Sequence, residues 1–186
     1  MSFVHIKEVS LLLENMPDSC KNMEVLIIEV HSNTPGWINY TWPSSFSSSK
    51  SLQELSIPRG NINISNISKF IDTSRIRKLA FSNNLIRQQN SFVDYILPKF
   101  LFDGSMKFLI VFRCESCSLI GDIPYISNRS NLIELDLRNN KKFGTAFNTS
   151  WYEAPTSIRI LRLDETNYTS QFYIPRNDLR RFTCIS

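Results

Sequence analysis

Two cysteines separated by two residues are the first candidates for chemistry in this sequence. Cys114 and Cys117 have the spacing found in zinc sites and in redox-active dithiols. A structural zinc ion needs four ligands, but no second cysteine pair or histidine pair follows, and His5 and His31 lie far away in sequence. The four cysteines also give no disulfide framework in a chain of 186 residues. We therefore expect neither metal nor redox chemistry.

Catalytic arrangements are not indicated either. The carboxylates of Asp136 and Asp164 each have an arginine neighbour, which would lower their pKa values and make them poor general acids. Neither of the two histidines lies near a predicted Ser or Cys nucleophile. Five glycines leave little room for a phosphate-binding loop. The sequence favours a protein that is not an enzyme and has no cofactor.

Composition limits the partners. The net charge is +4, and the densest basic stretch, Arg75, Arg77 and Lys78, contains no aromatic residues for stacking on bases, so we expect no nucleic-acid binding. No run of eighteen apolar residues could cross a membrane. Charged residues near Met1 interrupt the apolar run that a secretory leader needs. Taken alone, these features indicate a soluble segment without an export signal.

A repeated spacing of apolar residues is the main feature of the sequence. In Leu132-Ile-Glu-Leu-Asp-Leu-Arg-Asn-Asn140, apolar residues occupy the first, fourth and sixth positions and Asn the ninth. First positions recur at steps of 19 to 33 residues. The other copies are Ile6/Val9/Leu11, Val25/Ile28/Val30, Leu52/Leu55/Ile57, Ile76/Leu79/Phe81, Leu109/Phe112/Cys114, Ile158/Leu161/Leu163 and Leu179/Phe182/Cys184. In the second copy the phase could differ by two residues, because Met23/Leu26/Ile28 also fits.

This spacing predicts a solenoid. The fourth and sixth residues point to one face of a short strand, and an Asn or Cys side chain at the ninth can hydrogen-bond neighbouring backbone inside the turn. A single unit cannot bury its apolar edge alone, whereas stacked units form a continuous core. We expect one domain over residues 1–186 with about eight repeats, the last truncated. Its fold class would be an α/β solenoid with a curved parallel β-sheet inside and loops or short helices outside.

The segment from Leu109 to Pro124, which ends Leu119-Ile-Gly121-Asp-Ile-Pro124, resembles the plant-type leucine-rich repeat and its L-x-G-x-I-P ending. The next unit keeps Phe143-Gly144. Residues 109–178 carry this resemblance, and residues 1–108 match only the general leucine-rich pattern. The resemblance implies a horseshoe that binds its partners on the concave face of the sheet.

Two return segments have helical character. Asn66–Ile71 is predicted to form one or two helical turns behind an N-cap. Ser91–Phe102 suits a helix on the convex side, broken near Pro98. The second segment could serve as a docking ridge, but ordinary packing behind the sheet is the interpretation that we favour.

The fifth and seventh positions of neighbouring units place opposite charges side by side. In the fifth, Arg113, Asp136 and Arg162 alternate in sign, and in the seventh Glu115, Arg138 and Asp164 do the same, with Glu134 and Glu165 at the flanks. One interpretation is a recognition surface for a protein or peptide. The other is that the charges satisfy each other and keep a solvated sheet from self-association. The sequence leaves both open.

Six Asn-X-Ser/Thr sequons suggest glycosylation and start at Asn39, Asn63, Asn66, Asn128, Asn148 and Asn167. With the plant-type resemblance, they favour part of the ectodomain of a membrane receptor or receptor-like kinase, on the extracellular face of the plasma membrane, with a protein or peptide ligand and a possible co-receptor. The alternative is a cytoplasmic leucine-rich module of a nucleotide-binding immune receptor or scaffold. A third possibility is a truncated product of poor solubility.

Overall fold

The computed structural model describes nine stretches of the chain: residues 4–6, 22–30, 51–59, 75–83, 87–88, 91–92, 94–127, 129–144 and 157–170. Eleven strands form within them: β1 (Val4–Ile6), β2 (Val25–Val30), β3 (Glu54–Ser56), β4 (Lys78–Ala80), β5 (Arg87–Gln88), β6 (Ser91–Phe92), β7 (Tyr95–Ile96), β8 (Val111–Arg113), β9 (Leu119–Ile120), β10 (Glu134–Asp136) and β11 (Ile160–Arg162). Two short 3-10 helices, Lys99–Leu101 and Asn167–Ser170, are present, and no α-helix occurs in these stretches.

Seven of the strands form one parallel sheet whose spatial order is the order of the chain, β1-β2-β3-β4-β8-β10-β11. Each return segment therefore brings the chain back beside the strand that it has just left. Within the described residues the main sheet thus has the strand-and-return arrangement that the repeat predicted. It is compatible with a solenoid.

The register of the sheet places the fourth positions of successive units side by side. Leu55 pairs with Leu79, Leu79 with Phe112, and Phe112 with Leu135. The sixth positions, such as Phe81 and Leu137, are also buried. These residues belong to one continuous apolar core, in which a fully buried aliphatic side chain contributes about 1.5–3 kcal/mol.

The two N-terminal copies of the repeat were placed wrongly. In β2, Leu26 pairs with Leu55, so the correct phase is Met23/Leu26/Ile28, and Val25 is exposed instead of buried. A slip of two residues keeps the same alternation of faces, which is why the pattern fitted both phases. The first strand is Val4–Ile6, which ends at the residue where the predicted copy began. The predicted eighth copy, from Leu179, lies outside the described residues.

A left-handed residue follows the strand at the eighth position of five units. These residues are Arg59, Asn83, Ser116, Asn139 and Glu165, with φ between 54° and 60°. Each of these positions closes the turn that begins at the end of its strand. A Cβ atom disfavours this conformation, yet residues with different side chains adopt it at the same position of five units. The turn after each strand therefore requires this backbone conformation.

The return segment before β8 is not the predicted helix. Ser91–Phe92 and Tyr95–Ile96 are short strands, and only Lys99–Leu101 turns as a 3-10 helix after Pro98. Tyr95–Ile96 pairs in parallel with Leu119–Ile120, forming a second, two-stranded sheet. This backbone pairing, with burial of Leu97, Leu101 and Phe102, replaces helical hydrogen bonding. The other predicted helix, Asn66–Ile71, lies outside the described residues.

Candidate functional site

The candidate site is the charged face, which we define as the eight residues Arg113, Glu115, Glu134, Asp136, Arg138, Arg162, Asp164 and Glu165. They belong to β8, β10 and β11 and to the turns that follow these strands. Phe112, Leu135 and Leu161 contribute to the core. Because side chains alternate along a strand, the residues on either side of these three point to the opposite face of the sheet.

Glu134 is the centre of an ion-pair network. Arg113 approaches it as a fork, with Nε 2.9 Å and Nη2 3.2 Å from its two carboxylate oxygens. From the other side, Nη1 of Arg162 donates to Oε1 at 2.7 Å. The side chain of Glu134 is only 11% exposed, so two arginines from neighbouring strands cover one nearly buried carboxylate. Such charge-assisted bidentate contacts fix geometry more firmly than single surface ion pairs do.

Asp136 forms the second centre. Its side chain is 3% exposed, and both of its oxygens accept from Arg138, from Nε and Nη2, each at 2.9 Å. Nη1 of Arg162 lies 3.4 Å from Oδ2 and so links the two centres. The burial cost of this carboxylate is therefore offset by two guanidinium groups.

The pKa values in the network move toward the charged forms. Burial alone would raise the pKa of Glu134, but the hydrogen bond and charge of Arg113, reinforced by Arg162, hold it below its ordinary value. The hydrogen bond that Arg113 donates to Glu134 raises the pKa of Arg113, and the hydrogen bond that Arg138 donates to Asp136 raises the pKa of Arg138. Glu134 is therefore ionised at neutral pH and accepts hydrogen bonds from Arg113 and Arg162.

The remaining members lie at the periphery. Glu115 accepts from Nη2 of Arg138 at 3.5 Å and from the side-chain amide of Asn139 at 2.9 Å. Asp164 contributes its charge to the raised pKa of Arg138, after the larger effects of Asp136 and Glu115. Glu165 lies 4.0 Å from Lys141 in an exposed contact. Glu165 thus pairs outside the central network.

The lateral columns predicted from the sequence exist, but the pairing within them differs. The register places Asp136 between Arg113 and Arg162. Arg113, however, forks onto Glu134, which had been placed at the flank. The third position of the repeat faces the same side as the fifth, and this alternation was the signal that could have identified Glu134 as the centre.

Asn140, at the ninth position, ties the turns of two units together from inside. It is 1% exposed; its Oδ1 accepts from the backbone N–H groups of Cys117 at 2.9 Å and Leu119 at 3.1 Å. Its Nδ2 donates to the carbonyls of Cys114 at 2.8 Å, Leu137 at 2.8 Å and Arg138 at 3.1 Å. The predicted turn-bonding role of this Asn is confirmed.

Cys114 and Cys117 are joined by a disulfide, which corrects the expectation that the cysteines give no such bond. Both are buried at the sixth and ninth positions, so the repeat itself brings them together. Their Cα atoms are 5.6 Å apart, within the usual range for a disulfide. Among the residues that the structure describes, no group of three or more His, Cys, Asp or Glu side chains could hold a metal ion.

Of the six sequons, only the one at Asn167 falls in the described residues. Asn167 is exposed and begins the second 3-10 helix, while its neighbour Tyr168 is buried against Phe143. Desolvation by burial raises the pKa of Tyr168, whose hydroxyl donates to Asp122 and accepts from the backbone of Ile123. The sequons at Asn39, Asn63, Asn66, Asn128 and Asn148 lie outside the described residues.

The described stretches contain no helix that is long and apolar enough to cross a bilayer. Comparison of the chain with protein-family models, with curated proteins and with solved structures gave no match.

Proposed function

We propose that the strand-and-return units are leucine-rich repeats of the plant type and that they form a horseshoe with the charged face on its concave side. The L-x-G-x-I-P segment supports this assignment. Leu119 and Ile123 are buried, and Gly121 adopts a φ of +81° that a residue with a Cβ disfavours. Gly121 also bridges in parallel to Phe143, and its carbonyl accepts from the backbone N–H of Gly144, which holds the same position in the next unit.

We further propose that this module is non-catalytic and binds a protein or peptide ligand through the charged face, as part of a receptor ectodomain in signalling. The carrying observation is the fixed orientation of partly exposed arginines: the side chains of Arg113 and Arg138 are held on carboxylates yet remain 41% and 37% exposed. The carboxylates of Glu134 and Asp136 are nearly buried and accept bidentate hydrogen bonds, so they hold these guanidinium groups more firmly than exposed ion pairs would. A pre-oriented guanidinium loses less entropy when a ligand carboxylate or carbonyl binds.

The compartment proposed is the extracellular face of the plasma membrane. The Cys114–Cys117 disulfide favours an oxidising environment, because cytosolic reductants keep most thiols reduced. Exposed Asn167 supports the same assignment, since a glycan can be attached there without disturbing the core. Localisation of the endogenous protein tests this proposal. A cytosolic pool without glycans and with both cysteines reduced would contradict it in favour of the cytoplasmic alternative.

The binding role is tested by selecting ligands for the immobilised chain from a display library of secreted protein fragments. We expect the binders to be weakened about tenfold or more by the double substitution Arg113→Ala and Arg138→Ala. Lys142→Ala is the matched control, because Lys142 also forms an exposed ion pair, with Asp94, outside the charged face. Binders that tolerate the double substitution as well as the control would refute the assignment of the charged face.

A further inference from the structure

A second row of residues runs along the amino-terminal edge of the sheet, one residue before each three-residue strand. The backbone N–H of Ile110 donates to the carbonyl of Arg77 at 2.8 Å, Ile133 donates to Ile110 at 2.8 Å, and Arg159 donates to Ile133 at 2.9 Å. Four second-position residues of the repeat therefore follow one another without a gap. We call Arg77, Ile110, Ile133 and Arg159, together with Phe108, the amino edge.

The centre of the amino edge is apolar and open. Ile133 is 36% exposed, Ile110 is half-buried, and Phe108, two residues before Ile110, is 51% exposed. Phe108 and Ile133 are among the few large apolar residues left exposed in the described part of the chain. Exposed apolar surface that extends over neighbouring strands marks interaction sites on many proteins.

The two ends of the amino edge carry uncompensated positive charge. Arg77 and Arg159 are exposed, and neither forms an ion pair or a side-chain hydrogen bond with any residue within the described ranges. The three arginines of the charged face, in contrast, are all held on carboxylates. Free guanidinium groups on both sides of an apolar centre favour a ligand with acidic groups on both sides of an apolar one.

Among the described residues, the carboxylates nearest this row do not pair with its arginines. Glu134 follows Ile133 directly, but it lies on the charged face between Arg113 and Arg162. Glu24 occupies the second position of the unit of β2, and the backbone of Gln53 separates it from Arg77. Glu24 therefore marks one end of the positive stretch.

The spacing defines the ligand. From Arg77 to Arg159 there are three strand-to-strand steps, or about 14 Å at the usual separation of about 4.8 Å. An extended peptide rises about 3.4 Å per residue, so residues i and i+4 are also about 14 Å apart and residue i+2 faces the same side between them. We propose that the amino edge binds an extended acidic–x–apolar–x–acidic segment of a partner protein, whose carboxylates contact Arg77 and Arg159 and whose apolar side chain packs on Ile110, Ile133 and Phe108.

An array of synthetic peptides tests this proposal on the full chain. The parent peptide carries Glu-Thr-Leu-Thr-Glu in a Gly/Ser background. Its variants move the second Glu to i+3 or i+6, replace both Glu by Gln or by Lys, or replace Leu by Ser. Affinities are then measured by fluorescence polarisation. We expect the i+4 peptide to bind best, and the Lys peptide to lose binding.

Charge reversals in the protein locate the site. Arg77→Glu and Arg159→Glu should each lower the affinity for the parent peptide about tenfold. Lys141→Glu changes the net charge equally in an exposed turn beyond the carboxyl end of β10 and should alter affinity less than about twofold. Ligands selected for the charged face should in turn be unaffected by Arg77→Glu and Arg159→Glu, so this surface stands or falls separately from the proposed function.

Three results would overturn the proposal. The Gln peptide could bind as well as the parent, or the two charge reversals could have no more effect than Lys141→Glu. The third is binding to vesicles that contain anionic phospholipid, sensitive to Arg77→Glu, while no peptide binds. That result would assign the amino edge to a membrane surface instead of a protein segment.

Discussion

Replacing Asn140 by alanine should destabilise the protein more than almost any other change to a polar residue. The Asn140 side chain makes five hydrogen bonds to backbone groups at the edge of the sheet. The substitution leaves two N–H groups and three carbonyl oxygens without this partner. Several of these groups belong to buried residues, including Cys117 and Leu137.

The magnitude follows from the number and burial of these contacts. A typical hydrogen bond contributes about 1 kcal/mol net, and a buried polar group left unsatisfied costs about 1–3 kcal/mol. Allowing for water that enters the vacated volume, we expect the free energy of unfolding to fall by about 3–5 kcal/mol. This is a large share of the roughly 5–15 kcal/mol that stabilises a typical domain.

Asn140→Asp separates hydrogen bonding from shape. Aspartate has nearly the same volume but cannot donate, so it places a carboxylate beside the carbonyls of Cys114, Leu137 and Arg138. We therefore expect it to be at least as destabilising as alanine. Asn131→Ala is the matched control, because Asn131 is exposed and donates to one carbonyl, that of Lys107, at 2.6 Å.

Urea unfolding followed by circular dichroism measures all three variants. Asn131→Ala should lose less than about 1 kcal/mol. The reasoning fails if Asn140→Ala loses no more than Asn131→Ala. It also fails if Asn140→Asp is as stable as the unsubstituted chain, because the donated hydrogen bonds would then be of no consequence.

Three further predictions concern the charged face and the turns. Arginine contacts lower the folded-state pKa of Glu134, so its contribution to stability is complete above the unfolded pKa of about 4.3 and is lost as pH falls through the lower folded pKa. The difference in unfolding free energy between the unsubstituted chain and Glu134→Gln should therefore shrink below about pH 4. A constant difference from pH 7 to pH 3 would contradict this. Glu165→Gly should raise the midpoint of urea unfolding by relieving a φ of +54°, equivalent to about 0.5–1 kcal/mol, and a lowered midpoint would argue against strain there. Gly144→Ala should destabilise more than Gly121→Ala in thermal unfolding, since both have positive φ but only at Gly144 would a Cβ meet Tyr168, at 2.9 Å; equal losses would refute the steric argument.

The sequence predicted the C-terminal half of the main sheet well because Leu, Ile, Phe or, once, Cys there occupies all three core positions of each unit. Leu132, Leu135 and Leu137 admit one phase only. In β2, five apolar residues in six allow two phases, and only pairing with the next strand, Leu26 with Leu55, selects one. The local sequence pattern therefore determines the phase of the repeat where polar residues interrupt the apolar ones. Elsewhere, pairing with the neighbouring strand determines the phase.

The candidate site was predicted in position but not in connectivity. The lateral columns of charged residues follow from the spacing of the strands. An arginine side chain, however, is long enough to reach carboxylates on either neighbouring strand or at either of two positions of one strand, and the sequence does not show which of them it contacts. Arg113 contacts Glu134 instead of Asp136, whose two carboxylate oxygens already accept from Arg138. The amino edge was missed because the sequence alone presents Ile110 as one more apolar residue of a strand. Only the structure shows that its side chain is half-buried and contributes to the surface.

Because the strands of the main sheet follow one another in chain order, a whole unit can be removed from the sheet by a single deletion. Each strand of the main sheet is hydrogen-bonded only to its neighbours in that order, so β8 alone separates β4 from β10. Excision of residues 109–131, one full period from Leu109 to the residue before Leu132, would bring these two strands together and set Lys78 opposite Glu134, a pair of opposite sign. Deleting a unit thus changes which side chains lie side by side on the surface of the sheet, with no substitution in the units that remain.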